Sequence, residues 1–158
     1  MGRSSTGQAM QNRAKIVDCA SRLFRERGIE AVSVADIMAA ADMTVGGFYK
    51  HFASKEMLAE EATRKAFEDA AAYWDQPTPR AQQVERYLRP DRRPHCPIIA
   101  FAPHAAARQH GDGARAAYDE GTGALLARFS AASPGPARPD DDPEALLLFA
   151  AMIGARVL

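Results

Sequence analysis

Between Ser33 and Phe52 the chain sets two helix starts around a three-to-four-residue turn, and that spacing limits the fold more than any other feature of the sequence. Ser33 followed three residues later by Asp36 approximates a capping box, so a short helix starts there with Ile37, Met38 and Ala41 as its apolar face. Asp42-Met43 predicts a tight turn. Thr44 then caps a further helix whose first turn is Val45-Gly46-Gly47 and whose inner face is Phe48 and Phe52. Two short helices joined in this way form the unit that lays its second helix in a DNA major groove. Ordinary helical hairpins share the spacing, so the side-chain chemistry has to decide between them.

That chemistry favours DNA. Gly46 and Gly47 each cost about 1 kcal/mol relative to Ala inside a helix, which calls for a compensating close approach, and a DNA backbone supplies one. Tyr49, Lys50, His51 and Lys55 are all able to donate to phosphate oxygens, and Thr44 adds a hydroxyl at a helix N-terminus, where anions are favoured. Val45 suits a thymine methyl, and Lys50 a guanine edge or a phosphate. The alternative is that Tyr49 is partly core, His51 a buried hydrogen-bonding side chain and the lysines merely solvated. Charge leaves both readings open: residues 1–55 carry a net +3 in a chain whose overall charge is zero.

The flanking sequence predicts an all-α fold, since alternating β-branched runs are nearly absent. Ile16, Val17, Ala20, Leu23 and Phe24 recur at helical spacing from Gln11 onward, and Gly28 supplies a left-handed stop. Arg3, Arg13 and Lys15 belong either to an arm that reaches DNA backbone or minor groove, or to a solvated tail and helix face. Ser54 caps a longer helix with Leu58, Ala62, Ala66, Asp69 and Tyr73 on one stripe, and Gln76-Pro77-Thr78-Pro79 breaks it. The expected organisation is a DNA-binding head over residues 1–55, a connecting helix over 56–75 and a helical regulatory and dimerisation domain over 76–158.

The stretch from Phe24 to Leu58 resembles the tetracycline-repressor (TetR) family of regulators. The resemblance is carried by Phe24, Gly28, Ser33 and Ile37 at the family's spacing and by the unbroken string from Ala41 to Leu58. One departure is Ala41-Asp42, where the family usually has Ala-Gly. Position by position, the resemblance implies phosphate contacts at Ser33, Thr44, Tyr49, His51 and Lys55, and base reading at Val45, Gly46, Gly47 and Lys50. It further implies a homodimeric repressor that binds a pseudo-palindromic double-stranded operator and is released by a small-molecule effector, while Cys19 and Cys96, without paired spacing, fit a reduced cytoplasm.

Beyond residue 80 the pattern is looser. Val84, Tyr87 and Leu88 predict a short helix ended by Pro90; Cys96-Pro97 opens another that Pro103 should kink or divide; Tyr118, Leu125, Leu126 and Phe129 mark a third. An effector pocket between these helices would draw its lining from Trp74, Tyr87, Phe101, His104, Tyr118 and Phe129, although aromatics at helical spacing are also ordinary core. Asp140-Asp141-Asp142-Pro143 starts a last helix that is apolar on every face through Ala155, so it needs a partner, and Leu147, Ala150, Ala151 and Gly154 are the expected dimer contacts. A second interface helix is missing from the expected pattern, which suggests a truncated regulatory domain or a different dimer.

Cys19 and Cys96 lack the pairing of a disulfide framework, and no membrane span, cofactor motif or metal-ligand spacing is evident, even though His95, Cys96, His104 and His110 lie near one another in sequence. An enzyme built on Cys96 with His95 or His104 would lack an acidic orienter and an oxyanion turn. A helical interaction module docking through its last helix is the other rival.

Overall fold

A computed structural model describes residues 2–75, 78–89, 96–107, 112–132 and 142–158, and every element in them is helical. Helix α1 (Gly2–Arg27) starts well before the first periodic apolar residue, because nothing between Gly2 and Gln11 forces the backbone out of the helix. Residues 6–11 are solvent-exposed, and burial begins at Ile16. The helix stops at Gly28, whose φ of +82° suits a residue without Cβ and whose N–H donates to the Phe24 carbonyl at 2.9 Å.

Helix α2 (Val34–Ala40) begins on the expected capping box, with both reciprocal bonds between Ser33 and Asp36 formed. Its end is a Schellman motif: the Met43 N–H donates to the Met38 carbonyl at 2.8 Å, and the Asp42 N–H to the Ala39 carbonyl at 3.0 Å. Asp42 takes the left-handed position at φ +58°, which accounts for the departure from Gly there: Asp is one of the few L residues that visits this region.

The segment expected to read DNA, Val45–Lys50, is a 3₁₀ helix rather than an α-helix. Two adjacent glycines lower α-propensity, and six residues are few enough for the tighter 3₁₀ bonding to compete. Thr44 starts it with backbone geometry alone, since its side chain makes no capping hydrogen bond. Helix α3 (Lys55–Trp74) follows, with the Ser54 hydroxyl accepting from the Met57 N–H at 3.3 Å.

Around α3 stand α4 (Arg80–Leu88), α5 (Pro97–Ala106), α6 (Asp112–Ala131) and α7 (Pro143–Gly154). Pro103 does not end α5, which runs three residues past it. The head's core of Ile16, Phe24, Ile37, Met38, Phe48 and Phe52 continues past residue 55 through Leu58, Ala62 and Ala66 and takes in Phe101 from α5. A second core joins Phe67, Trp74, Ile98, Leu125, Phe129 and Phe149, and Tyr118 packs against both. Its framework is polar at one point: Arg80 bonds Asp142 at 2.6 Å and the Ser130 carbonyl at 3.1 Å, tying α4, α6 and α7 together. Asp142 also caps α7 by accepting from the Ala145 N–H at 2.9 Å, and this bond first, then Arg80, holds its carboxyl below the usual range.

Helix α7 divides its apolar residues between two faces. Ala145, Phe149 and Met152 are buried, while Leu147, Ala150, Ala151 and Gly154 form an exposed stripe with Leu147 70 % accessible. Gln76, Pro77, Pro90, His95, His110, Asp140 and Asp141, singled out above, lie outside the described residues. Among the described residues, no helix is long and apolar enough to cross a membrane.

Candidate nucleic-acid interface

Phe48 and Phe52 fix the 3₁₀ helix to the head. Both are buried, and their rings stack with centroids 5.7 Å apart and planes 29° from parallel. This places Thr44, Val45, Gly46, Tyr49 and Lys50 on the outside, with Val45 48 % and Tyr49 70 % accessible. A large aliphatic and a large aromatic exposed side by side, next to a lysine, make a surface that packing within the chain does not explain. The Tyr49 ring stands edge-on to Phe48 at 5.2 Å, so its aim is set by the core while its hydroxyl stays outside.

The two glycines behave as an intermolecular demand requires. A Cβ built on Gly46 meets nothing within 4 Å, and one on Gly47 meets only Met38 Cε at 3.7 Å and Thr44 Oγ1 at 3.9 Å, both ordinary contacts. Neither glycine has the positive φ that would exclude a side chain. The fold therefore has room for a Cβ at both positions, and packing within the chain does not require glycine at either.

His51 and Lys55 are half-buried just beyond the 3₁₀ helix, beside the exposed row. Ser33 is placed differently. Its hydroxyl donates to the Asp36 carboxylate and accepts from the Asp36 N–H, and the hydroxyl bond first, then the Ser33 N–H donating to the same carboxylate at 2.8 Å, holds the Asp36 carboxyl below its usual range. A phosphate at Ser33 would have to compete with that capping box, so Ser33 serves the start of α2 before it can serve an anion.

Arg13 was the missed residue. Rather than reaching outward, its guanidinium lies over the Phe52 ring at 4.0 Å and donates to the His51 carbonyl and to Glu61. One side chain of α1 thus ties down the end of the reading helix and the start of α3. Its partners lie 38 and 48 residues away, a separation that local periodicity does not register.

The second feature is a cavity of about 320 Å³ between α1, α3, α4, α5, α6 and α7. Of the six pocket residues expected from sequence, it takes in Trp74 and Tyr87, whose rings are 6.2 Å apart. The other four are placed elsewhere. Phe101 and Phe129 are closed into the two cores, the Tyr118 hydroxyl donates to the Ile98 carbonyl at 3.1 Å, and His104 Nδ1 faces Glu30 at 3.2 Å. Burial first, and then the Cys96 thiol, keep the Tyr87 phenol neutral well above its ordinary range. Cys96 at the start of α5 and His104 near its end are separated by eight residues, about 12 Å of helix, so these two do not converge on one centre.

The family model for "Bacterial regulatory proteins, tetR family" matches residues 16–62, the span that holds α1, α2, the 3₁₀ helix and the start of α3. The HTH-type transcriptional repressor KstR2 of Mycobacterium tuberculosis (strain ATCC 25618 / H37Rv) is 40% identical over 58 residues, which cover 37% of this chain and 29% of that protein. The HTH-type transcriptional regulator AcrR of Shigella flexneri is 38% identical over 61 residues, covering 39% of this chain and 28% of that protein. These matches span less than a third of the relatives' length. Reduced E. coli NemR, a solved structure, superposes with a TM-score of 0.71 at 15% identity over 93% of this chain and 88% of that one, and so shares the fold.

Proposed function

We propose, for a chain that belongs to the tetR family of bacterial regulatory proteins, that it is a cytoplasmic transcriptional repressor, acting by binding rather than by catalysis. It holds a pseudo-palindromic operator as a homodimer and is released by a small-molecule effector. The observation that carries this reading is the exposed row Thr44, Val45, Gly46, Tyr49 and Lys50, mounted on the buried Phe48 and Phe52. Val45 contacts a base edge, Gly46 and Gly47 let the backbone approach, Lys50 reaches a guanine edge or phosphate, and Thr44, Tyr49, His51 and Lys55 hold phosphates.

The test is binding of the chain to a duplex selected from a random pool, followed across a salt series. Affinity should fall steeply with salt, and Lys50→Ala and Lys55→Ala should each lower the log–log slope by about 1 for a lost phosphate contact. A flat salt response, or slopes identical to the parent in both variants, would count against the operator contacts.

The dimer rests on α7, whose exposed stripe Leu147, Ala150, Ala151 and Gly154 combines one large apolar side chain with small residues that admit a second helix closely. Two-fold pairing would set two heads on half-sites about one helical turn or more apart. In sedimentation at micromolar concentration the chain should run as a dimer and Leu147→Glu as a monomer; a monomeric parent would contradict the pairing.

The effector role falls to the 320 Å³ cavity, because Arg25 of α1 shares its wall with Trp74, Tyr87 and Met152 of the C-terminal helices. A molecule held there touches the helix that carries the head, and its differential affinity for two head positions would shift the population between them.

A further inference from the structure

The walls of this cavity differ in character. Trp74, Ile98, Leu125, Phe149 and Met152 make an apolar surface large enough for a chain or ring system. Arg25, Arg86 and Arg156 line the same cavity. Asp69 is the one acid among the described lining residues, and its carboxylate is engaged by Lys65 at 2.5 Å. The arginines are also held in place. Arg25 Nε donates to the Ser21 carbonyl at 3.1 Å, and Arg156 donates to the Tyr87 and Arg89 carbonyls at 3.1 Å with its guanidinium 5.5 Å over the Tyr87 ring. Arg86 is fixed by the Thr78 hydroxyl at 3.3 Å.

We infer that the cavity binds a small apolar anion of the long-chain carboxylate kind, with its hydrocarbon against Trp74, Leu125 and Phe149 and its carboxylate toward Arg25, Arg86 and Arg156. Guanidinium groups match a carboxylate in charge and in planar donor geometry, and a site that joins them to an apolar wall discriminates against both neutral and cationic molecules of the same length. The inference rests on the effector reading above in placing the ligand in that cavity. Its own content is the sign of the ligand's charge, which can be measured without DNA.

Trp74 is the single tryptophan of the chain and lines the cavity, so its fluorescence reports occupancy directly. The chain is titrated with decanoate, decanol and decyltrimethylammonium, each below its micelle concentration, alongside Arg156→Gln and Arg86→Gln checked for native helicity by circular dichroism. Decanoate should give a saturable change, decanol should bind about tenfold more weakly, decyltrimethylammonium should give none, and each variant should narrow the decanoate-to-decanol ratio. Equal binding of decanol, binding of the cation, or no response to any of the three would overturn the inference. The ligand series on the parent chain decides this even if a variant fails to fold. If decanoate binds selectively yet leaves affinity for the selected duplex unchanged, effector control fails while anion selectivity stands; if the chain binds no DNA, the regulator reading fails separately.

Discussion

Phe48→Ala is expected to destabilise the chain by about 3–5 kcal/mol, the usual range for removing a fully buried phenylalanine, and to abolish DNA binding with it. Phe48 is 0 % accessible and supports the reading helix through its contacts with Phe52 and Tyr49. The next residue should behave in the opposite way. Tyr49→Ala removes a ring that is 70 % accessible, so stability should change by about 1 kcal/mol or less while DNA affinity falls by roughly tenfold or more. Urea denaturation and duplex binding on both variants check the pair. Similar stability losses in the two would mean that Tyr49 belongs to the core, the reading left open by the sequence.

Gly121→Ala should be the most disruptive single-methyl change in the C-terminal part. A Cβ at Gly121 would lie 2.2 Å from Phe67 Cγ and 2.5 Å from its Cδ2, contacts no real structure sustains. Phe67 cannot step aside easily, being buried at the packing surface of α3 and α6 and set edge-on to Tyr118 at 5.8 Å. Forcing the two helices apart should cost about 3 kcal/mol, the upper part of the range for overpacking, or more. Thermal denaturation measures the loss, and Phe67→Ala added to Gly121→Ala should recover part of it, because the two changes act on one contact. Gly121→Ala with parental stability would show that α3 and α6 do not meet as described.

The head was legible because its signals are local. The capping box at Ser33 and Asp36, the Gly28 stop, the Ser54 cap and the inward Phe48 and Phe52 all depend on residues a few positions apart, and each is formed. The 3₁₀ form of the reading helix was not legible, since spacing of apolar residues over six positions does not separate it from one α-turn and a half. Arg13 was read as an arm or a solvated face because the atoms that hold it belong to distant elements.

The cavity illustrates the same limit. Aromatic residues suggested a lining, but four of the six fill cores or hold neighbouring backbone and side chains, and the residues that give the cavity its charge, Arg25, Arg86 and Arg156, come from three separate helices or their ends. No spacing rule brings those together; packing does. The last helix shows a different case. Its apolar residues on every face were read as a need for burial on all sides, and the fold resolves that need into one covered face and one exposed stripe.

The central claim is that the row from Thr44 to Lys50 is shaped for DNA and not by the chain's own packing. Gly46→Leu tests it most directly, since a Cβ there meets nothing within 4 Å and residue 46 is exposed, so the added side chain extends from the outer surface on which the operator is proposed to lie. Stability in urea should stay within about 0.5 kcal/mol of the parent or rise, while affinity for the selected duplex should fall by roughly tenfold to a hundredfold. Parental DNA affinity with Leu at position 46 would contradict the claim.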